Sequence, residues 1–211
     1  TPTTSSAASD VYKRQIGNKK DIEKYYDNWS SSYDETLYKW NYKAPLQSVK
    51  ILKKYIKSKP KFILDLACGT GLFVDEFLRV YPDCICDGSD ISKKILDISK
   101  RNGKYRYLYK KSFENKIQIV NKYTVVSLIG AMTYCKNHQS LFKLVSYYLA
   151  KNGYFIFTHR VDLWKELKFD NILEKLTDFN SIYISKPLNY IPNNKDFGSN
   201  IKIRIVLLKK K

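Results

Sequence analysis

The sequence is poor in metal ligands. Its 211 residues include four cysteines and two histidines. The cysteines stand at 68, 84, 86 and 135 and form no CxxC pair. A zinc site is therefore not expected, and no metal is assigned. Cys84 and Cys86, two apart in an expected strand, point to one face. They read as small buried thiols in a reducing compartment, which places the chain in the cytoplasm. No apolar run reaches the length needed to cross a bilayer, so no membrane partner is expected. The N-terminus also lacks the basic-then-apolar order of a secretory signal.

Acidic residues are scarce too. Twenty Asp and Glu against 38 Lys and Arg leave a formal charge of +18. Such an excess suits a polyanion such as RNA. It also suits a chain rich in Lys, Asn, Ile and Tyr, all of which use A/T-rich codons. The lysines are scattered, as in Lys19-Lys20, Lys53-Lys54, Lys93-Lys94 and Lys110-Lys111, and form no arginine-rich stripe. Nucleic acid stays open as a partner.

What remains is enough for one α/β domain with a packed core, since 44% of residues are hydrophobic. Residues 1–15 do not match the rest. The string from Ser5 to Gln15 resembles a translated adapter, and residues 1–15 are read as a non-native or disordered tail. Residues 16–211 read as a single domain, opened by a helical lid over 16–43. Ile22, Tyr25, Tyr26 and Trp29 recur at helical spacing there. A second short helix is expected over Ser32–Trp40, capped by Ser31 or Ser32. Pro45 suits the first turn of the next helix, whose stripe is Leu46, Val49, Leu52 and Ile56.

After Pro60 strands and helices alternate. Strands are expected over 62–66, 84–90, 105–109, 123–129 and 154–158. Helices are expected over 71–80, 92–101 and 138–150, the last stopped by Asn152-Gly153. Two further strands, 181–185 and 201–208, have no helix between them and can pair antiparallel. The pattern predicts a doubly wound, mostly parallel, seven-stranded Rossmann-like sheet with an antiparallel C-terminal strand.

The chemistry concentrates at the end of the first strand. Asp65 is followed by Gly69-Thr70-Gly71, a turn that lets a ligand approach the main chain. A dinucleotide fingerprint would place a third glycine where Val74 stands, and a Walker loop would need Lys and Ser or Thr where Leu72 and Phe73 stand. An acidic residue before the glycines suits a cation, and S-adenosylmethionine offers an ammonium and a sulfonium. Asp90 ends the second strand roughly 20 residues on, at the place where an acid binds ribose hydroxyls. On that residue alone NAD competes, and a helix-capping role for Asp90 competes as well.

Taken together these segments resemble a class I S-adenosylmethionine-dependent methyltransferase. Residues 63–71, Ile-Leu-Asp-Leu-Ala-Cys-Gly-Thr-Gly, are similar to the family's first motif, and 88–92, Gly-Ser-Asp-Ile-Ser, to its second. The segment 26–34, Tyr-Asp-Asn-Trp-Ser-Ser-Ser-Tyr-Asp, resembles the entry segment of a subgroup that includes the Williams–Beuren-region methyltransferase-like proteins. Gly130–Tyr134 and Thr158–Trp164 resemble that subgroup too. The resemblance implies S-adenosylmethionine as methyl donor. It implies that Asp65, Ala67, Cys68, Gly69 and Gly71 serve the methionine end and Asp90 the ribose. Ile91, Ile95, Ser112 and Phe113 would flank the adenine, Leu128 to Gly130 would lie below the methyl donor, and Tyr33 and Trp29 would close over it. Two positions depart from the family pattern, Ser112 and Thr124, where many relatives are acidic.

Methyl transfer from a sulfonium needs alignment and exclusion of water more than a base. Tyr134 and His159 follow strands four and five and are the catalytic candidates, although a structural role competes for each. No Asp/Asn-Pro-Pro-aromatic tetrad follows strand four. The short C-terminal region leaves little room for a substrate domain. A small-molecule acceptor is therefore the leading expectation. An RNA or rRNA methyltransferase and a cofactor-binding protein without activity are the alternatives.

Overall fold

The computed structural model describes residues 18–195 and 200–211. The reading of 1–15 as a tail, and Gly198 of the C-terminal loop, lie outside them. The lid begins with α1 (Lys19–Trp29), continues through a 3-10 turn at Ser30–Ser32, and ends with α2 (Tyr33–Lys39). Asn18 caps α1 by accepting from Lys20 N. Ser32 precedes α2 but makes no side-chain cap; its carbonyl instead accepts from the Thr36 hydroxyl at 2.6 Å. The helix α3 (Ala44–Tyr55) carries Pro45 in its first turn.

The strands are β1 (Phe62–Leu66), β2 (Ile85–Asp90), β3 (Tyr107–Lys110), β4 (Tyr123–Leu128), β5 (Leu149–Arg160), β6 (Phe179–Ile184), β7 (Leu188–Asn189) and β8 (Lys202–Lys210). Between them lie α4 (Leu72–Val80), α5 (Lys93–Asn102), a 3-10 turn (Met132–Tyr134), α6 (His138–Tyr148), α7 (Val161–Glu166) and α8 (Phe169–Glu174). The sheet runs β3-β2-β1-β4-β5-β8-β6, with β7 also on β8. The first five strands are parallel; β8 is antiparallel to β5, β6 and β7. The expected seven strands form the main path, and the two-residue β7 is an eighth. Among the described residues no helix is long and apolar enough to cross a membrane.

Alternation along the strands splits the core in two. Leu64, Leu66, Val126 and Leu128 face one cluster, completed by α6 and by Trp164 and Phe169. Ile63, Val125 and Ile156 face the other, against α3 and α4. Both faces are covered, which is why β1 and β4 read as near-continuous apolar runs.

Three boundaries differ from expectation. The helix α6 stops at Tyr148, and the next residue already pairs with Tyr123 of β4. Asn152-Gly153 does not stop the helix. It lies in a looped-out step of β5, where Asn152 takes φ +61°. The strand β3 starts at Tyr107, because Tyr105 turns its hydroxyl to Asp65. The helices α7 and α8 occupy a stretch in which the sequence shows no clear period.

A buried ion pair links β2, β3 and β4. Asp87 is 1% exposed and accepts from Arg106 Nε and Nη2 at 3.0 and 2.6 Å, and from the Tyr123 hydroxyl at 2.8 Å. Removing one partner of such a pair leaves an uncompensated buried charge. Arg106→Ala strands the Asp87 charge in the core and is expected to cost about 3 kcal/mol. Urea unfolding checks this, and a loss below about 1 kcal/mol, the range of an exposed pair, would make the network ornamental.

Candidate active site

A cavity of about 740 Å³ opens at the carboxyl ends of β1, β2, β4 and β5, beneath the lid. That is within the roughly 300–1,000 Å³ typical of ligand pockets. Its floor begins with the turn after β1. Gly69 and Gly71 take φ +58° and +103°, which glycine adopts freely. Ala67 takes φ +50° without that freedom, a strained residue at the head of the turn.

The turn is held by its neighbours. Gly69 N donates to Asp90 Oδ2 at 3.0 Å, and Ser92 N donates to Asp90 Oδ1 at 2.9 Å. From α5, the Ser99 hydroxyl donates to Gly69 O at 2.6 Å and Asn102 Nδ2 to Thr70 O at 3.1 Å. Cys68 N donates to Ser89 O at 2.9 Å. Nearly every polar group of the turn is thus fixed by β2 or α5.

Two buried carboxylates stand at this point. Burial pushes Asp65 up to about 7, against hydrogen bonds from Ser127 and Tyr105, and the Asp90 charge adds to the rise. Those bonds run from Ser127 Oγ at 2.7 Å and from the Tyr105 hydroxyl at 2.8 Å. Burial also raises Asp90, while the N–H groups of Ser92 and Gly69 pull it back.

The lid is docked by its own acids. Asp27 accepts from Ser92 Oγ at 2.5 Å and from Lys94 N at 3.2 Å. Asp34 accepts from Thr70 Oγ1 at 2.5 Å. Glu23 pairs with Lys110 at 2.6 Å. Behind these tethers Tyr26, Trp29 and Tyr33 pack as an aromatic roof, with the Trp29 and Tyr33 centroids 4.7 Å apart.

Of the residues singled out in the sequence, Tyr33, Ala67, Gly69 and Asp90 line this cavity. Ile91, Ile95, Ser112 and Phe113 line it beside Asp90. Asp65 and Cys68 face a smaller void of about 30 Å³ under the turn, which Ala67 and Gly69 share. Gly71 instead packs toward Tyr105, whose ring lies 3.3 Å from where a Cβ would sit. Of the expected run from Leu128 to Gly130, Ile129 and Gly130 line the cavity, while Leu128 is fully buried and does not reach it. Tyr134 does line it, with its hydroxyl 3.0 Å from that of Tyr26.

His159 does not. It is 1% exposed and packed against Phe169, at 4.5 Å between centroids, with His138 and Trp164 near. Neither ring nitrogen has a partner among the described residues. The structure therefore withdraws His159 from the reacting centre. The residues not foreseen are the tethers Asp27 and Asp34, the supports Ser99, Asn102 and Tyr105, and the pair Tyr42 and Tyr190 at the floor. Asp27 and Asp34 were visible as the repeated Tyr-Asp of the entry segment. The others carried no local signal.

Residues 63–153 match the family described as methyltransferase domain. Among curated proteins, the malonyl-[acyl-carrier protein] O-methyltransferase of Halalkalibacterium halodurans is 28% identical over 88 residues, 40% of this chain and 32% of that protein. Human methyltransferase-like protein 27 is 35% identical over 86 residues, 40% of this chain and 35% of that one. The matches thus span about a third of the length of these relatives. Among solved structures, the plantazolicin methyltransferase BpumL in complex with SAH superposes with a TM-score of 0.66 at 13% identity, covering 97% of this chain and 100% of that one. A SAM-dependent methyltransferase from Thermotoga maritima gives 0.64 at 14% identity, covering 90% and 99%.

The burial of His159 sets an acid limit on stability. Burial holds its imidazole down to about 3, with His138 adding to the effect, against an ordinary 6.5. Above pH 6.5 it is neutral folded or unfolded and costs nothing. Between 6.5 and 3 only the unfolded chain takes the proton, so stability falls by about 1.4 kcal/mol per pH unit. His159→Phe is expected to flatten that part of the slope when urea midpoints are compared from pH 6.5 to 4.5. Parallel slopes for the two proteins would show that His159 is not the cause.

The glycine turn, the acid closing β2 and the sheet order then agree with the match, and residues 63–153 are similar to a methyltransferase domain within a chain that shares the fold of solved methyltransferases.

Proposed function

We propose that the chain is an S-adenosylmethionine-dependent methyltransferase acting on a small-molecule acceptor. The observation that carries the reading is that Asp90 and Asp65 flank the glycine turn, both buried and neither in an ion pair among the described residues. When bound, S-adenosylmethionine supplies an electrophilic methyl group on a sulfonium. Asp90 would hold the ribose hydroxyls, Ile91, Ile95 and Phe113 would pack on the base, and Asp65 would favour the methionine ammonium through the turn. The donor set fits this cofactor, since the turn carries no lysine for a triphosphate and no third glycine for a pyrophosphate.

The enclosed, aromatic-walled cavity supports a small acceptor. The likeness to human methyltransferase-like protein 27 supports membership of the Williams–Beuren-region subgroup. The four reduced, buried cysteines support a cytoplasmic setting. RNA as acceptor is the second reading, favoured by the charge of +18. It predicts binding that weakens steeply with salt.

Calorimetry with S-adenosylhomocysteine tests the first half directly. Asp90→Ala is expected to lose at least about tenfold in affinity, or roughly 1.4 kcal/mol. No binding by the folded parent protein defeats the proposal. Asp65 adds a sign. A bound ammonium favours its carboxylate form, so affinity should climb between pH 6 and 8, through its value of about 7, and level off above. Asp65→Asn should remove that climb, and a flat profile in the parent would exclude Asp65 from cofactor binding.

A further inference from the structure

We propose that the acceptor is a small organic carboxylate, methylated on oxygen. The paired hydroxyls of Tyr42 and Tyr190 hold the reacting oxygen, and Lys165 and Lys202 draw its charge in at the cavity mouth. This rests on the methyl-transfer reading above.

Placement comes first. The sheet order reverses between β1 and β4, and ligand crevices open at such switch points. Gly69 leaves β1 and Gly130 leaves β4 at the two sides of that crevice. The hydroxyls of Tyr42 and Tyr190 converge on Gly130, where a Cβ would lie 2.9 and 3.1 Å from them. Their rings meet edge to face at 5.4 Å. Both line the cavity. Gly130 takes φ +83°, so the close approach and the backbone both call for glycine.

The second observation is the shortage of a base. Beyond Asp90, the carboxylates that the described residues place on the cavity wall are Glu114 and Asp162. Glu114 accepts from Lys136 N at 2.7 Å and lies 3.6 Å from Lys19 Nζ. Asp162 is gripped by Arg160 through two hydrogen bonds, at 3.0 and 2.5 Å. Burial pushes its carboxyl up, but the guanidinium outweighs this and holds it below the usual range. Burial raises the Tyr42 phenol well above its ordinary value, and its hydrogen bond with Tyr190 adds to the rise, so the hydroxyl pair keeps its protons. His159 faces elsewhere. An acceptor that must first lose a proton finds little help here, whereas a carboxylate arrives already ionised at neutral pH.

The third observation is charge. Lys165 on α7 and Lys202 at the start of β8 are exposed and line the mouth. Neither has an ion-pair partner among the described residues. The transfer then balances without a proton. A carboxylate oxygen gives an electron pair to the methyl carbon. The C–O bond forms as the methyl–sulfur bond breaks, and the sulfur keeps that bond's electrons as a neutral thioether. The product is a methyl ester.

Calorimetry on the full chain tests this. The protein is first titrated with S-adenosylhomocysteine, and the saturated complex is then titrated with benzoate, benzamide and benzylamine, three probes of one ring and different charge. Benzoate is expected to bind at least about tenfold tighter than the other two. The double variant Lys165→Gln/Lys202→Gln should erase that preference without changing the benzamide affinity. Tyr42→Phe should weaken benzoate about fivefold, the order of one hydrogen bond to a charged group, with cofactor affinity unchanged. Equal responses, including no response to any probe, or a preference that survives the lysine substitutions, overturn the inference and leave the methyl-transfer reading standing. Failure of the first titration removes both.

Discussion

Asp90 occupies the one position on which the rest of the site depends. Its two oxygens take main-chain N–H groups from Gly69 and Ser92. One bond pins the glycine turn to the end of β2, and the other sets the start of α5. Hydrogen bonds to a charged acceptor contribute about 1.5–3 kcal/mol each, and here they work against the burial that raises this carboxyl. Consequences run outward from this node. Ser92 caps α5 through Ile95 N and also donates to Asp27 of the lid. Four turns of chain therefore share one origin: the turn after β1, the end of β2, the first turn of α5 and the docked lid. A shift at Asp90 would be felt in all of them.

Three buried aspartates lie close together on the sheet, and their partners separate structure from function. Asp87 is paired with Arg106 and so is already neutralised. Asp65 has only the hydroxyls of Ser127 and Tyr105, and Asp90 has main-chain N–H groups. Burial raises both of these unpaired acids; the Asp90 charge adds to the rise at Asp65, and the Asp27 charge to the rise at Asp90. A protein without a ligand gains nothing from such an arrangement, because an ionised pair at this depth opposes folding. A cationic ligand reverses the sign. An ammonium and a sulfonium carry charge of the sign that would offset Asp65 and Asp90.

Much of this was legible before the structure. The buried runs of β1 and β4, Pro45 in the first turn of α3, Ser92 as a cap and Asp90 beyond the glycines all follow from short-range chemistry. The missed residues share a different property. Ser99 and Asn102 sit on a helix that reads as polar outside and apolar inside. Nothing local distinguishes a serine on its buried face from one facing water. Tyr105 reads as strand, because its pairing with Asp65 spans 40 residues of chain. Tyr42 and Tyr190 meet only because β7 returns the chain to the lid. Leu128 was placed at the end of its strand, and His159 just past a strand that in fact runs on to Arg160; a strand alternates. The sequence does not say which face an end residue takes when both faces are apolar.

The lid and the mouth divide the acceptor's problem between them. The roof of Tyr26, Trp29 and Tyr33 is aromatic, so it excludes water without presenting a charge to the reacting centre. The cations stand farther out, on α7 and β8. Drying the centre strengthens any electrostatic contact made inside it. A lysine there would pair with an incoming carboxylate and blunt it as a nucleophile. A phenol hydroxyl orients the same oxygen while leaving most of its charge available. Keeping lysine at the rim and tyrosine at the floor thus attracts an anion without quenching it. That division explains why a chain so rich in lysine places two tyrosines, and no lysine, against Gly130.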